Sequence, residues 1–533
     1  MSVRAHPHDI NIRRAEMLPM GSAEVSNFVI RGLYRDSVQL MEVSERVKRL
    51  PGVVEAVVVM GTAANKESLK SLMLLTPEGE KAGPNDLIVA LKTTGNAEEI
   101  FMLVKKILFE TRTTATSYSS IEEAVKSHQE IKYASISIPG KYVGDVAFKL
   151  IDYGVNLFVF SDHVPVDTEV ELKKHAAAKN LLVMGPEAGT AIVSGVAFGF
   201  ANNVAKGPVG VVASAGSGIQ EFITLLDGYG IGISHAIGVG ARDLSRDVDG
   251  IMTRKALQIL DKDENTKLIT LIAKQSDIAV VKHLLETEKV SKPLLLCLLG
   301  YPEPVSTYPQ VSTLHGLALK TASYLSRSKL EEAMKSLMHE VRRLRALVSK
   351  ANGFPRAFYS GGTLATETAF IWAEAGLKVY SNLSIRSAER LQNPYESVGA
   401  TVIDYGSEEF TEGRPHPIID PTLRNKRIIT ELNSTETCCI AWDLIIGYGA
   451  PDNIISRIFD EIGESILKNR NKKMVVRVVG TPRDFQWEQT MILANYSVIV
   501  PQSNALAAVF SAACGLGDPS VVETLTSELV SGG

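Results

Sequence analysis

The chain has 533 residues, 45% apolar, 22% charged and 6% aromatic, with 41 Gly, 22 Pro and 4 Cys; 56 Lys and Arg against 60 Asp and Glu leave a net charge of −4. That length predicts about three or four domains, each with its own core, and the composition excludes a disordered, collagenous or disulfide-stapled chain. The weakly acidic balance offers no footprint for a phosphate backbone and no apolar run reaches the roughly 18 residues of a membrane span, so neither nucleic acid nor membrane is expected as a partner. The charged, Pro-containing start from Met1 to Met20 lacks a signal-peptide core, which points to the cytoplasm. Cys297, Cys438, Cys439 and Cys514 form no C-x-x-C pair and lie in apolar runs, so they are read as small buried hydrophobes, with no metal site expected.

Residues 1–26 read as a tail carrying His6 and His8, and 27–125 as a small α+β domain. Phe28 to Gly32 is a predicted strand, and Asp36 with Gln39 makes a capping-box start for a helix that Pro51-Gly52 stops. Val53 to Met60 and Leu87 to Leu91 read as further strands, and Ile100, Phe101, Val104, Ile107 and Leu108 mark one face of a closing helix. From Ile131 short apolar strands, Gly-rich turns and helices alternate, the signature of parallel α/β units. The first such unit, 126–205, has strands at Ala134 to Ile138, Asn156 to Phe160 and Leu181 to Met184, the last ending in Gly185-Pro186-Glu187-Ala188-Gly189-Thr190.

The second unit, 206–327, opens with strand Val209 to Ala213, the turn Ser214-Ala215-Gly216-Ser217-Gly218 and a helix from Ile219; strands at Lys267 to Ala273 and Pro293 to Leu298 follow. A connector helix over 328–352 carries Leu330, Met334, Leu337, Val341, Leu344 and Val348 on one seam, with Ser328 and Glu331 as its capping box. The third unit, 353–533, opens with strand Arg356 to Tyr359 and Ser360-Gly361-Gly362-Thr363, and continues through strands near Val402, Cys439 and Val476.

A Gly-rich turn leading from a parallel strand into a helix aims unpaired N–H groups and the positive helix end at one spot, where anions bind. None of these turns is a P-loop or a strict G-x-G-x-x-G fingerprint. Ser214 to Gly218 combines small residues, two glycines and a helix start, and makes the best anion cradle of the three. Gly413-Arg414-Pro415-His416-Pro417, continuing to Asp420-Pro421-Thr422-Leu423-Arg424, is a stiffened loop carrying two arginines and a histidine. Arg suits carboxylate or phosphate recognition and His416 suits proton transfer near neutral pH; in the plainer reading Arg424 and Asp420 pair only with each other. Gly447-Tyr448-Gly449 is a further close-approach site. Phe109 to Thr114 is superficially similar to the Ser-Thr-Arg-Thr loop of aspartate and ornithine transcarbamoylases, but that loop begins a helix and these residues trail one. His315 could be a phosphohistidine, yet its segment scans as an ordinary helix start capped by Ser312 or Thr313.

Together these segments resemble the FdrA family, related to the succinyl-CoA synthetases and other NDP-forming acyl-CoA synthetases, over nearly the whole chain. In the first unit the resemblance is carried by Met60-Gly61-Thr62-Ala63 with Asn65, and by Ala82-Gly83-Pro84-Asn85-Asp86-Leu87. Further along it is carried by Gly185 to Ala191, Ser217 to Glu221, Ser234 to Gly238, Arg242 to Ser245, Ser360 to Thr363 and the Gly413 to Asn425 loop, the most specific of these. Where the family usually has Asp-Cys, this chain has Glu187-Ala188, so no cysteine role is carried over.

The resemblance implies an α/β protein: a CoA-binding-like Rossmann domain over 126–205 and two flavodoxin-like CoA-ligase-type domains over 206–327 and 353–533, preceded by the small α+β domain. Succinyl-CoA synthetase chemistry uses a mobile phosphohistidine and an ATP-grasp domain, and the sequence shows neither a Gly-His-[AG]-Gly loop nor a stretch for an ATP-grasp. Members of the FdrA family are also a subunit of a multi-subunit oxamate carbamoyltransferase of anaerobic allantoin breakdown, interconverting oxalurate plus phosphate with oxamate plus carbamoyl phosphate. That chemistry requires no cofactor, and CoA binding stays open. The expected partners are small anionic substrates and other protein subunits. Ser214, Gly216, Ser217 and Gly218 are expected to hold phosphate, with Gly185, Gly189, Thr190, Ser360, Gly361, Gly362, Thr363, Gly447 and Gly449 as further anion contacts. Arg414 or Arg424 is expected to orient a carboxylate and His416 to move a proton. The alternatives are an acyl-CoA synthetase subunit and a non-catalytic regulatory or scaffold subunit.

Overall fold

The computed structural model describes residues 23–530 apart from 34, 36, 49, 110–117, 275, 302, 350–352 and 413. Residues 1–22 of the tail, His6 and His8 among them, Asp36 of the capping box, Glu110 to Thr114 and Gly413 therefore lie outside the described residues, and the last residues assigned to the tail open the first strand. The chain forms two compact units, 1–117 and 118–533.

The first unit runs β1 (Glu24–Ile30), α1 (Ser37–Lys48), β2 (Val53–Met60), α2 (Ala63–Ser71), α3 (Pro77–Glu80), β3 (Leu87–Thr93) and α4 (Ala97–Phe109). β3 lies between β1 and β2, antiparallel to both. Alternation along the strands splits the core. Val58, Met60, Leu87, Val89 and Leu91 meet Leu40 and Val47 of α1 and Ile100, Val104 and Leu108 of α4. Ile88 and Ala90 face the other way, onto Leu69, Leu74 and Ala82. With both faces covered, β3 is apolar over most of its length, as a doubly buried strand should be. The sequence offers no apolar period for α2, AANKESLKS, in which Leu69 is the one large hydrophobe and is buried.

The second unit begins with α5 (Ile121–Ser127), β4 (Tyr133–Ile136), α6 (Val143–Asp152), β5 (Asn156–Val159), α7 (Val166–Ala178) and β6 (Val183–Met184). β4, β5 and β6 make a small parallel sheet in that order. Next come the hairpin β7 (Thr190–Val193) and β8 (Val196–Gly199), then β9 (Lys206–Ala213), α8 (Gly216–Gly228), β10 (Ile233–Gly238), α9 (Ile251–Lys262), β11 (Leu268–Ala273), α10 (Ile278–Thr287), β12 (Leu294–Leu298), β13 (Gln310–Val311) and α11 (Leu314–Leu325). Their sheet runs β13-β12-β11-β9-β10-β7-β8, with the first five parallel in flavodoxin-type order. The hairpin, grouped by sequence with the preceding unit, pairs antiparallel with β10 instead.

α12 (Arg327–Leu347) is the connector; its seam buries Leu337, Val341 and Leu344, and the helix touches α11 and two helices near the C-terminus. Its cap is Ser326, whose hydroxyl accepts the Lys329 N–H, rather than Ser328. Beyond it come β14 (Phe354–Tyr359), α13 (Gly362–Glu374), β15 (Val379–Ser381), β16 (Glu389–Arg390), β17 (Ala400–Asp404), α14 (Glu408–Thr411), α15 (Thr422–Asn433), β18 (Thr437–Ile445), α16 (Ile454–Lys468), β19 (Lys473–Val479), α17 (Ile492–Asn495), α18 (Asn504–Leu516) and α19 (Ser520–Leu525). The sheet is parallel, ordered β16-β15-β17-β14-β18-β19. In both large sheets the strand that opens the unit is central, which places its carboxyl end at the crevice where connections diverge.

Candidate anion site between two helix starts

β9 leads through Ser214 and Ala215 into α8, and β14 leads through Ser360 and Gly361 into α13. The two openings keep the same spacing to a buried glutamate, Glu221 in one and Glu367 in the other. Each glutamate crosses to the other half. Glu221 Oε1 accepts the Asn504 N–H at the start of α18 at 2.8 Å, and Glu367 Oε1 accepts the Leu314 N–H at the start of α11 at 2.6 Å. Their second oxygens accept from Arg477 Nε at 2.7 Å and Asn504 Nδ2 at 2.8 Å. Burial lifts Glu367 to about 7 against these donors.

This reciprocal capping brings the two helix starts together. A Cβ on Gly361 would lie 2.7 Å from Ser217 Oγ, and one on Gly218 would lie 2.8 Å from Thr363 Cγ2. Neither helix has a side-chain cap, so the first N–H groups of both are offered to the space they share. The turn at 185–190 closes on α8: a Cβ on Gly216 would lie 3.4 Å from Gly189 Cα and 3.6 Å from Thr190 Oγ1. A Cβ on Gly362 would lie 2.7 Å from both Lys274 Nζ and Asp404 Oδ2. The hydroxyls of Thr190, Ser214 and Thr363 are buried and have no hydrogen-bond partner among the described residues. Buried donors without partners are costly unless a ligand or water completes them. Two helix ends, three such hydroxyls and an ammonium suit one oxyanion.

Beneath α13, Arg424 Nη1 donates to Ser360 Oγ at 2.5 Å and to Asp443 Oδ1 at 2.8 Å, while the Ser360 N–H donates to the same carboxylate at 2.8 Å. Arg424 thus positions Ser360 and does not pair with Asp420, whose carboxylate accepts from Thr422. Burial raises Asp443, and Arg424 opposes it. Asp404 is lifted to about 6 by burial, against Lys274 and the Gly406 N–H. Burial, then the charge of Arg424, lowers His416 to about 4. A Cβ on Gly406 would lie 2.9 Å from His416 Nε2 and 3.1 Å from Asp404 Oδ1, so these two groups flank one glycine beside the cradle.

Other expected residues fall elsewhere. Arg414 is exposed on the loop after α14. Gly447 and Gly449, at φ 112° and 84°, are closely approached by the chain itself: a Cβ on Gly447 would lie 3.0 Å from Asn202 Nδ2, and one on Gly449 2.8 Å from the Phe200 ring. Gly185, at φ 104°, packs on the Val159 backbone. His315 is buried, bonded to Tyr229 and Ser503 at 2.8 Å each, and lowered by burial to about 3; Thr313 caps its helix. The four cysteines are buried. Sequence reasoning missed Lys274 and Asp404, although each stands at the carboxyl end of a parallel strand, where ligands of such sheets bind.

This is the architecture of a CoA-ligase-type α/β protein: the CoA-ligase family profile matches residues 358–514, and a profile described as "AllF, heavy metal-associated domain" matches 23–125. The fold is succinyl-CoA synthetase-like, in the manner of NDP-forming acyl-CoA synthetases. The chain belongs to the family of the uncharacterized protein YahF of Escherichia coli K12, to which it is 34% identical over 488 residues, 88% of this chain and 95% of that one. The alpha subunit of ADP-forming succinate–CoA ligase from Methanothermobacter thermautotrophicus is 25% identical over 190 residues, 35% of this chain and 63% of its own length. Among solved structures, dinucleotide-forming acetyl-coenzyme A synthetase 1 of Ca. Korarchaeum cryptofilum, in complex with phosphate and ADP, aligns over 77% of this chain and 88% of its own at 16% identity and TM-score 0.28. Residues 23–125 contain neither Cys nor His, and no cluster of three or more His, Cys, Asp or Glu side chains that could hold a metal ion occurs among the described residues. No helix among the described residues is long and apolar enough to cross a membrane.

Proposed function

We propose that the chain is a subunit of an oxamate carbamoyltransferase-type complex, of the FdrA kind, that binds phosphate and carbamoyl phosphate between the starts of α8 and α13. The observation that carries this reading is the pair of uncapped helix starts facing one another, with three unpartnered hydroxyls and Lys274 beside them. In the phosphorolytic direction a phosphate oxygen attacks the carbamoyl carbon of oxalurate, and the C–N bond to the oxamate nitrogen breaks. That nitrogen takes up the proton that phosphate brings. His416, neutral at pH 7 because burial lowers it to about 4, is able to relay that proton. Helix N–H groups and Lys274 hold the phosphoryl oxygens throughout.

The matching CoA-ligase profile and the likeness to a succinate–CoA ligase alpha subunit favour a second reading, an acyl-CoA synthetase subunit whose cradle receives an acyl phosphate and whose complex binds CoA. Assaying carbamoyl phosphate formed from oxalurate and phosphate by the complete complex separates the two. Turnover that falls by about 10²–10⁴ in His416→Ala supports the first reading. No turnover, together with acid-labile phosphate on the chain after incubation with ATP, replaces it with the second. Full turnover in His416→Ala would leave this chain a scaffold.

A further inference from the structure

Asp404 is out of place in a site built for an anion. Its Oδ1 accepts the Gly406 N–H at 2.8 Å, whereas Oδ2 takes no hydrogen bond from the described residues and shares with Lys274 Nζ the space beside Gly362. An ionised carboxylate repels an anion and accepts hydrogen bonds without donating any. The only anions that meet it favourably bring their own donor.

We infer that Asp404 makes the cradle selective for oxyanions that carry a proton, such as hydrogen phosphate, over fully ionised ones of the same size and shape. The inference rests on the anion-cradle reading above. Hydrogen phosphate can give its O–H to Asp404 Oδ2 while its ionised oxygens take the helix N–H groups and Lys274. Sulfate offers the same oxygens and no proton, and sets a charge against Asp404. Sites that use a buried polar group to accept a ligand hydrogen discriminate strongly against analogues lacking it. In Asp404→Asn, the Gly406 N–H holds the amide oxygen at the Oδ1 position and leaves the NH2 facing the anion, which reverses the preference.

Isothermal titration of the full chain at pH 8 with phosphate, arsenate, sulfate and selenate tests this. Phosphate and arsenate carry a proton there, and sulfate and selenate do not. The expected result is that the first two bind at least about tenfold more tightly than the second two. Asp404→Asn brings sulfate to equal or tighter binding than phosphate, and Lys274→Met weakens all four. Equal binding of all four by the wild-type chain overturns the inference and leaves the cradle standing, and needs no variant to fold. Binding of none of the four removes the cradle and the inference with it.

Discussion

Replacing Gly362 by alanine tests the cradle with one methyl group. Gly362 is the first residue of α13 and its backbone is outside the left-handed region, so alanine is tolerated there. The new Cβ would lie 2.7 Å from Lys274 Nζ and Asp404 Oδ2, inside the 3.4–4 Å of ordinary contact. Both atoms end flexible side chains, so they move and the fold survives, with stability changed by at most about 1 kcal/mol. The methyl stands where the anion should sit and pushes the ammonium away. Losing one charge-assisted hydrogen bond of about 1.5–3 kcal/mol weakens phosphate binding by about 10–150-fold. Titration calorimetry gives the affinity and thermal unfolding the stability. Gly228→Ala, at the far end of α8 with nothing within 4 Å, is the control and leaves binding unchanged. Phosphate affinity within about twofold of wild type in Gly362→Ala would show that the anion sits elsewhere.

Three further outcomes follow from the same geometry. Glu221→Ala leaves Arg477, 8% exposed, without its carboxylate and lowers stability by about 3–5 kcal/mol in urea unfolding, whereas Glu221→Leu with Arg477→Met costs less than either change alone. Glu367 is lifted by burial from 4.5 to about 7, so the folded state holds its proton more tightly. Its contribution is full below 4.5 and is lost as pH rises through 7; Glu367→Gln therefore melts with a smaller difference between pH 5 and pH 8 than wild type. Asp404, lifted to about 6 by burial and by Asp443 and Glu409 against Lys274 and the Gly406 N–H, is protonated below that value. Sulfate affinity accordingly rises between pH 8 and pH 5 in wild type and stays level in Asp404→Asn.

The strands were readable where burial on both faces left continuous apolar runs: β2 matches its expected span of Val53 to Met60, and β9 and β14 were placed next to their Gly-rich turns. Helix starts were less readable. α8 begins at Gly216, three residues before the expected Ile219, because glycines carry no apolar signal although they suit a tight first turn. That shift puts Gly216 and Ser217 in the turn whose N–H groups face the cradle. The hairpin at Thr190–Gly199 went to the wrong neighbour for another reason: its partner β10 is remote in sequence, and pairing at that distance leaves no local mark. Lys274, Asp404 and Asp443 were invisible as a group, since each is one charged residue at the end of a strand or within it and they meet only after the sheets have formed.

The frame of the site is nearly two-fold and its chemistry is not. Glu221 and Glu367 exchange caps, so α18 needs the first half and α11 needs the second, and the facing helix starts exist only when both halves are folded. A symmetric frame would hold an anion without giving it a direction. The asymmetry comes from what surrounds it: Lys274 arrives from the sheet of β11, and Asp404, the Arg424–Asp443 pair and His416 all come from the other half. The Lys274 ammonium therefore enters from one side, and the groups able to hold or pass a proton stand on the other, where the charge of Arg424 is matched by Asp443. In the proposed cradle, an oxyanion would therefore turn its protonated oxygen toward Asp404 and its ionised oxygens toward Lys274 and the helix N–H groups.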